Sequence, residues 1–270
     1  YLAGATKTSQ LICQTMANRL TTLFQEKRDI LSIYCTAGYP GLQDTVEVIS
    51  AIETAGGDLV EIGIPFSDPL ADGPVIQASG RQALDNGMNL ALLFEQLQGI
   101  RNTVTIPLVL MGYINPIMQY GFEAFAQSCA KIGIDGTIIP DLPLEEYVSN
   151  YKSLFNQYGL CNIGLITPQT TDERVKYVDE CSEGFVYMVS TSSTTGGSKQ
   201  LSDSAPYFER IKGLTLSNPT LIGFNIHDRQ SFEVACKYSR GGIIGSAFIK
   251  ALGETSDTVH TVSEFIKNIK

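Results

Sequence analysis

Residues 60–74 read Val-Glu-Ile-Gly-Ile-Pro-Phe-Ser-Asp-Pro-Leu-Ala-Asp-Gly-Pro. The run begins as a buried strand in which Glu61 is the only charged residue, and a buried carboxylate is costly unless it is hydrogen-bonded or used. Gly63 and Pro65 end the strand, and a loop rich in Pro, Asp and Gly returns Asp72 towards the strand end. Two carboxylates placed in this way can act as an acid and a base in one pocket. The structural alternative is that Glu61 caps a neighbouring element and Asp72 is a turn or N-cap residue.

Around this stretch, short apolar runs alternate with longer amphipathic ones, which is typical of a parallel sheet with helical crossovers. The pattern predicts eight strand-then-helix units, with strands at 30–36, 59–64, 108–111, 136–139, 162–166, 185–189, 221–224 and 242–245. Right-handed crossovers close such a series into a (β/α)8 TIM barrel. An extra N-terminal helix is predicted at 17–27, and extra short helices follow strands two and eight. A doubly wound open sheet is the alternative, but the dinucleotide glycine fingerprint is missing after strand one.

The domain boundaries follow from the first helix. Residues 16–270 are predicted to form a single α/β barrel domain, and the chain, 43% hydrophobic over 270 residues, is long enough to bury a large core. Because residues 16–20 open a good helix, residues 1–15 are expected to be a poorly ordered leader or upstream extension. The segment lacks the basic region and apolar core of a secretory signal. No stretch is long and apolar enough to suggest a membrane span.

Charge and cysteine usage limit the classes of partner. A formal net charge of −9 argues against nucleic acid or a membrane surface. A small anionic substrate is still compatible, because local backbone dipoles can hold it. The six cysteines are scattered, so we interpret them as reduced thiols of a cytoplasmic protein and predict no metal site. His227 and His260 have no partner in a nucleophile or metal pattern, and surface roles are favoured for both.

Ligand-binding residues are predicted at the carboxyl ends of the strands, where the loops after strands seven and eight of a barrel often bind phosphate. Gly245 and Ser246 open a short helix whose free N–H groups suit a phosphate. Asn225 follows strand seven, and Gly196 lies in the long polar loop after strand six. Ordinary turns and a disordered surface loop are the structural alternatives. Aromatic residues at or near strand ends either line a pocket for an aromatic ligand or belong to the core: Tyr34, Tyr113, Tyr187 and Phe224.

The run at 65–74 resembles the P-F-S-D-P-x-A-D-G-P signature of the tryptophan synthase α subunit family. Weaker motifs occur in the family's order from about residue 16 to the C-terminus, at 36–40, 111–116, 140–146, 223–224 and 245–247. That family cleaves indole-3-glycerol phosphate to indole and glyceraldehyde 3-phosphate, a retro-aldol lyase reaction of tryptophan biosynthesis that needs no cofactor. The resemblance implies that Glu61 is the main acid–base and that Tyr187 helps to place it. It also implies that Asp72 holds the indole N–H and stabilises the positive charge that develops on the ring.

The resemblance implies a substrate site with two ends. The phosphate would meet the backbone N–H groups of Gly196, Asn225, Gly245 and Ser246. The indole would pack among Tyr34, Met111, Phe224 and Ile243. Thr195 would contact Asp72 when the loop after strand six is closed.

The resemblance further implies a protein partner. Family members form an α2β2 heterotetramer with a β subunit that carries pyridoxal phosphate and receives the indole, so no pyridoxal phosphate is expected in this chain. The residues that match the contact surface are Asp68, Asp141 and Pro143.

Two departures from the family pattern matter, the first for regulation and the second for phosphate binding. Thr191 and Ser193 stand where an Arg and a Gly are usual, which bears on loop closure and on signalling to the β subunit. Asn225 stands where a glycine is usual, but a backbone donor survives there and Asn tolerates positive φ. The prediction is therefore a working lyase subunit. The alternatives are a catalytically weak chain that acts mainly as activator and docking subunit of the β enzyme, and a barrel acting on a related sugar phosphate.

Overall fold

The structure, a computed structural model, describes residues 18–190, 201–254 and 257–270. The strands in these ranges are all parallel and belong to one sheet. They are β1 Ile30–Thr36, β2 Leu59–Gly63, β3 Leu108–Met111, β4 Gly136–Ile138, β5 Cys161–Asn162, β6 Gly164–Ile166, β7 Val186–Val189, β8 Thr220–Gly223 and β9 Gly241–Ile244.

The sheet closes into a barrel through a single residue. Its order is β5-β4-β3-β2-β1-β9-β8-β7-β6, so β5 and β6 are at its two ends. Only Ile163 separates β5 from β6, and its N–H donates to the Thr137 carbonyl at 2.9 Å. These two short strands therefore act as one strand that pairs with both neighbours. The predicted eight-position (β/α)8 barrel is confirmed.

Helices follow the strands and cover the outside of the ring. They are α1 Arg19–Glu26, α2 Thr45–Thr54, α3 Pro74–Asp85, α4 Leu90–Gln96, α5 Ile114–Tyr120, α6 Phe122–Ile132, α7 Leu144–Glu146, α8 Lys152–Gln157, α9 Asp172–Cys181, α10 Ala205–Gly213, α11 Arg229–Tyr238, α12 Ser246–Gly253 and α13 Thr258–Ile269. A π-helical turn, Tyr147–Tyr151, joins α7 to α8. After β2, α4 ends at Gln96, and a 3-10 turn, Ile100–Asn102, follows Gly99 at φ +76°.

The barrel interior is filled by one apolar cluster, which we call the inner cluster. Its buried members are Leu20, Phe24, Ile30, Leu59, Val109, Ile138, Cys161, Ile163, Phe185, Tyr187, Leu221 and Ile243. Leu20 and Phe24 come from α1 and are one helical turn apart, so the predicted N-terminal helix plugs the amino ends of the strands. The opposite, carboxyl end of the ring is left for the loops that build the site.

Acidic residues brace the plugged end. An acidic residue lies just before each of β2, β4 and β7, and its side chain accepts a backbone N–H from the start of a neighbouring strand. The N–H of Leu31 donates to Asp58 at 2.9 Å, that of Leu108 to Asp135 at 2.9 Å, and that of Asn162 to Glu183 at 3.2 Å. Each acid also pairs with lysine or arginine side chains. These bonds fix the register of neighbouring strands. They therefore fix the position along the barrel axis at which inward residues such as Glu61 lie.

The described helices include none long and apolar enough to cross a membrane. The predicted leader at residues 1–15 lies outside the described ranges.

Candidate active site

Glu61 lies in the middle of β2, where all five residues are buried. Its side chain has no solvent exposure. Oε1 accepts a hydrogen bond of 2.9 Å from the Ser32 hydroxyl on β1, whereas Oε2 has no hydrogen-bond partner among the described residues. Burial raises the pKa of Glu61 to about 8, although the Ser32 bond acts to lower it. Near neutral pH this carboxyl group is therefore mostly protonated and can donate a proton.

Asp72 returns from the loop after β2, as predicted, and its partner is Tyr113. The Tyr113 hydroxyl donates to Asp72 Oδ2 at 3.0 Å and accepts the Ala71 N–H at 3.0 Å. The rings of Tyr113 and Phe66 lie 5.3 Å apart, which packs the same loop against the residue after β3. Burial raises the pKa of Asp72 to about 6, and the Tyr113 bond opposes that rise. Asp72 is therefore mostly ionised near neutral pH, so the two carboxyl groups hold opposite protonation states.

Tyr187 connects the two carboxyl groups electrostatically. Burial raises its pKa well above the ordinary value, and the negative charges of Glu61 and Asp72 raise it further. Both carboxyl groups are therefore close enough to act on one phenol in the barrel interior. The hydrogen bond that holds Glu61 comes from Ser32, however, and none to Tyr187 is recorded in the described part of the chain. Sequence reasoning did not single out Ser32.

Two glycines make room for the tyrosines of the site. A Cβ on Gly63 would lie 2.0 Å from the Tyr34 hydroxyl oxygen, and a Cβ on Gly223 would lie 2.1 Å from that of Tyr187. Each tyrosine leans over the glycine that lies two residues further along the neighbouring strand. Close approach of this kind excludes any side chain at the two glycine positions. From its sequence context alone, Gly63 is predicted only to end a strand.

The predicted indole-binding residues lie together. Ile243 belongs to the inner cluster, Met111 and Phe224 pack against it, and Tyr34 lies on β1 with its hydroxyl over Gly63. The rings of Tyr187 and Phe224 meet edge to face with centroids 6.4 Å apart. Leu165 and Val189, which sequence reasoning missed, pack against the same cluster. A cavity of about 320 Å³ opens at the ends of β4 and β6, where Leu165 lines it together with Pro140 and, from α9, Arg174. The predicted indole-binding residues are not part of its lining.

The phosphate-binding end, predicted after strands seven and eight, lies after β8 and β9. The numbers differ by one because β5 and β6 together correspond to the fifth predicted strand. Phe224 and Asn225 have φ of 69° and 58°, which turns the chain sharply at the end of β8. Gly245 is the N-cap of α12, and Ser246 is its first residue. The α12 N-terminus therefore presents free N–H groups on the side of the barrel where Asn225 lies, an arrangement that suits an anion. The predicted contributors from the loop after β7, Thr195 and Gly196, lie outside the described residues, as do Thr191 and Ser193.

The residues predicted to contact a partner lie in loops at the same end of the barrel. Asp68, Asp141 and Pro143 are exposed, and Asp141 Oδ1 accepts the Ile114 N–H at 2.8 Å. Leu70, in the loop that carries Asp68, leaves 88% of its surface exposed.

The histidines lie away from the two carboxyl groups. His227 and His260 are exposed, and His227 is 3.5 Å from Asp228. In the described ranges, no cluster of His, Cys, Asp and Glu is suitable for a metal ion.

Known proteins resemble this chain over nearly its whole length. A family model described as the tryptophan synthase alpha chain matches residues 20–269. A tryptophan synthase alpha chain of Flavobacterium johnsoniae is 55% identical over 254 residues, which cover 94% of this chain and 100% of that protein.

Solved structures agree with the sequence relatives. The tryptophan synthase subunit alpha of Legionella pneumophila superimposes with a TM-score of 0.83 at 33% identity, covering 93% of this chain and 97% of that one. A chain from the tryptophan synthase complex of Pyrococcus furiosus gives 0.82 at 31% identity, covering 90% and 98%. The chain belongs to the tryptophan synthase alpha chain family.

Proposed function

We propose that this chain is a lyase subunit that cleaves indole-3-glycerol phosphate to indole and glyceraldehyde 3-phosphate in tryptophan biosynthesis. One observation carries the proposal: β2 and its loop hold two carboxyl groups in different surroundings. Glu61 has no solvent exposure and its Oε2 has no partner among the described residues, whereas Asp72 accepts the Tyr113 hydroxyl. Burial raises their pKa values to about 8 and about 6. A neutral acid and a carboxylate are thus available in the same pH range. Two carboxyl groups with separated pKa values are the usual sign of an acid–base pair with divided roles.

The roles follow from these protonation states. Glu61 donates its proton to the indole carbon that bears the glycerol side chain, and the positive charge that results is shared with the ring nitrogen. The Asp72 carboxylate accepts the indole N–H and stabilises that charge. Glu61, now ionised, takes the proton of the side-chain hydroxyl, the C–C bond breaks, and its electron pair restores the aromatic ring. The hydroxyl carbon becomes the aldehyde, and Glu61 ends the cycle protonated, so no cofactor is consumed.

The rest of the substrate matches the remaining side chains. The indole ring fits against Tyr34, Met111, Phe224 and Ile243. The phosphate would take N–H groups of Asn225, Gly245 and Ser246, joined by Gly196 from the loop after β7. Since Glu61 has no solvent contact, substrate binding must displace the side chains that cover it.

The partner in this proposal is a tryptophan synthase β subunit in an α2β2 assembly in the cytoplasm, with pyridoxal phosphate bound by the β subunit alone. A solved chain of similar fold is part of a tryptophan synthase complex. Exposed Leu70, at 88%, and exposed Met118, at 58%, lie in the loop after β2 and the helix after β3. Apolar side chains left exposed at one end of a barrel favour a protein contact there. Asp68, Asp141 and Pro143 would surround that contact.

The experiment measures indole release from indole-3-glycerol phosphate, first by the isolated chain and then with β subunit added. Glu61→Gln keeps the shape of the side chain but cannot exchange the proton. We expect turnover to fall by about 10²–10⁴-fold with substrate affinity nearly unchanged. Glu95→Gln makes the same change at an exposed position of α4 and should leave turnover unaltered.

Two results would contradict this function. Wild-type activity retained by Glu61→Gln would move the acid–base role to another residue. If the wild-type chain releases no indole in either condition but stimulates the β reaction, the docking-subunit alternative is correct.

A further inference from the structure

Ser32 is the hydrogen-bond partner that the barrel gives to Glu61. It lies in β1, has no solvent exposure, and is two residues before Tyr34, so both side chains point into the barrel. Tyr34 is in register with Glu61, and Ser32 with Leu59. The Ser32 hydroxyl therefore approaches the carboxyl group from the plugged end of the barrel, opposite to the end where the substrate would enter.

This contact makes the two carboxyl oxygens of Glu61 different. A hydroxyl has one proton, and Ser32 donates it to Oε1 at 2.9 Å. Oε1 thus acts as an acceptor, whereas Oε2 has no partner among the described residues. When the carboxyl group is neutral, its own proton is accordingly placed on Oε2.

We propose that Ser32 is a positioning residue: it holds Oε1, fixes the orientation of the Glu61 carboxyl group, and reserves Oε2 for proton exchange with the substrate. The inference rests on the proposed lyase function, because it assigns the atom that exchanges the proton. Ser32 itself does not touch the substrate.

Of the titratable groups around Glu61, Cys35, Tyr34 and Tyr187 keep one charge state near neutral pH, because burial raises the pKa of each. Cys35, on β1, has its pKa raised to about 12 by burial and by the charge of Glu61. Tyr187, on β7, has its pKa raised well above 10 by burial and by the charges of Glu61 and Asp72. Asp72, in the loop after β2, titrates lower, at about 6. The loss of activity on the alkaline side therefore reports Glu61, and the loss on the acid side reports Asp72.

The test replaces Ser32 by alanine and follows the pH profile. Because the Ser32 bond stabilises the ionised form, its removal should raise the pKa of Glu61 and move the alkaline limb of kcat upward by about one pH unit. We expect kcat at neutral pH to fall by about tenfold, since the carboxyl group is no longer held, with KM changed by less than about threefold.

Ser182→Ala is the matched control. Ser182 is also buried, and its hydroxyl accepts the Gly164 N–H and donates to the Val178 carbonyl, outside the barrel interior. It should lower the melting temperature and leave the pH profile in place. If Ser32→Ala does not fold, Ser32→Cys takes its place, because a thiol is a weaker donor of similar size.

A second readout separates the inference from the proposed function. The carboxyl carbon of Glu61 is followed by 13C NMR across the pH range and assigned by its absence in Glu61→Gln. A pKa raised in the Ser32 variant supports the inference even if the wild-type chain releases no indole, a result that would defeat the proposed function alone. An unmoved pKa overturns the inference. So does a kcat above the wild-type value, which would mean that the bond restrains Glu61 in a resting position.

Discussion

Removal of the Tyr113 hydroxyl should move the acid limb of the pH–activity profile to higher pH. In Tyr113→Phe, Asp72 loses the hydrogen bond of 3.0 Å that favours its ionised form, and Ala71 loses the acceptor of its N–H. A hydrogen bond to a charged group contributes about 1.5–3 kcal/mol, and one pKa unit corresponds to about 1.4 kcal/mol. Since Asp72 is only partly buried, we take the lower end of this range. The pKa of Asp72 should then rise by about one unit from its value of about 6.

The assay is the pH dependence of kcat/KM for indole release. A higher pKa leaves less Asp72 ionised at a given pH, so the acid limb should move from about pH 6 towards about pH 7. The alkaline limb, which reports Glu61, should stay in place. The wild-type profile should be bell-shaped, with its maximum between the two pKa values of about 6 and about 8.

Tyr120→Phe is the control for this prediction. Tyr120 lies in α5, and its hydroxyl meets Ser128 Oγ at 3.2 Å, away from both carboxyl groups. The variant should keep the wild-type profile. An unmoved acid limb in Tyr113→Phe, or an equal shift in Tyr120→Phe, would refute the assignment of Tyr113 as the residue that keeps Asp72 ionised.

Two further predictions concern stability. The folded chain binds the Glu61 proton more tightly than the unfolded chain does, because the pKa is about 8 against an ordinary 4.5. Wild-type stability should therefore fall as pH rises through this window, by up to about 5 kcal/mol, at about 1.4 kcal/mol for each pKa unit. Glu61→Gln should be the more stable chain at about pH 9 but not at about pH 5; denaturant unfolding at both values checks this, and equal stability at the higher pH contradicts it. Asp135→Asn, at the plugged end, removes the carboxylate that pairs with Arg19 and Arg101. It should lower the free energy of unfolding by roughly 3–5 kcal/mol without changing kcat per folded molecule, and a changed kcat would show that the plugged end influences the site.

The barrel could be predicted from the sequence because the signals that begin and end each strand are local in the chain. Apolar runs give the strands, and Gly or Pro ends them, as at Gly63 and Pro65. No helix is predicted from the sequence at α5, Ile114–Tyr120. Its third residue is Pro116, and a proline in the first turn costs no helical hydrogen bond. The next helix, Phe122–Ile132, begins after Gly121, whose φ of 92° is a turn that apolar periodicity does not reveal.

The candidate site was only half predictable, for a physical reason. The acidic residues stand out because a charge inside an apolar run is costly, so Glu61 and Asp72 could be named from the sequence. Their partners are distant in the chain: Ser32 lies 29 residues from Glu61, and Tyr113 lies 41 residues from Asp72. The signal for Ser32 was nevertheless present, since it is a polar residue on the inward side of the strand that neighbours β2.

Tyr34 packs closely over Gly63, and Tyr187 packs closely over Gly223. This packing limits the order in which substitutions at these positions can accumulate during evolution. A Cβ on Gly63 would meet the Tyr34 ring carbon Cζ at 2.4 Å, and one on Gly223 would meet Cζ of Tyr187 at the same distance. Loss of the hydroxyl alone, by a mutation to Phe, would not relieve either clash. A lineage that acquires a side chain at one of these glycines must first have shortened the aromatic residue facing it. The reverse order passes through a chain in which the tyrosine must leave its place over the glycine.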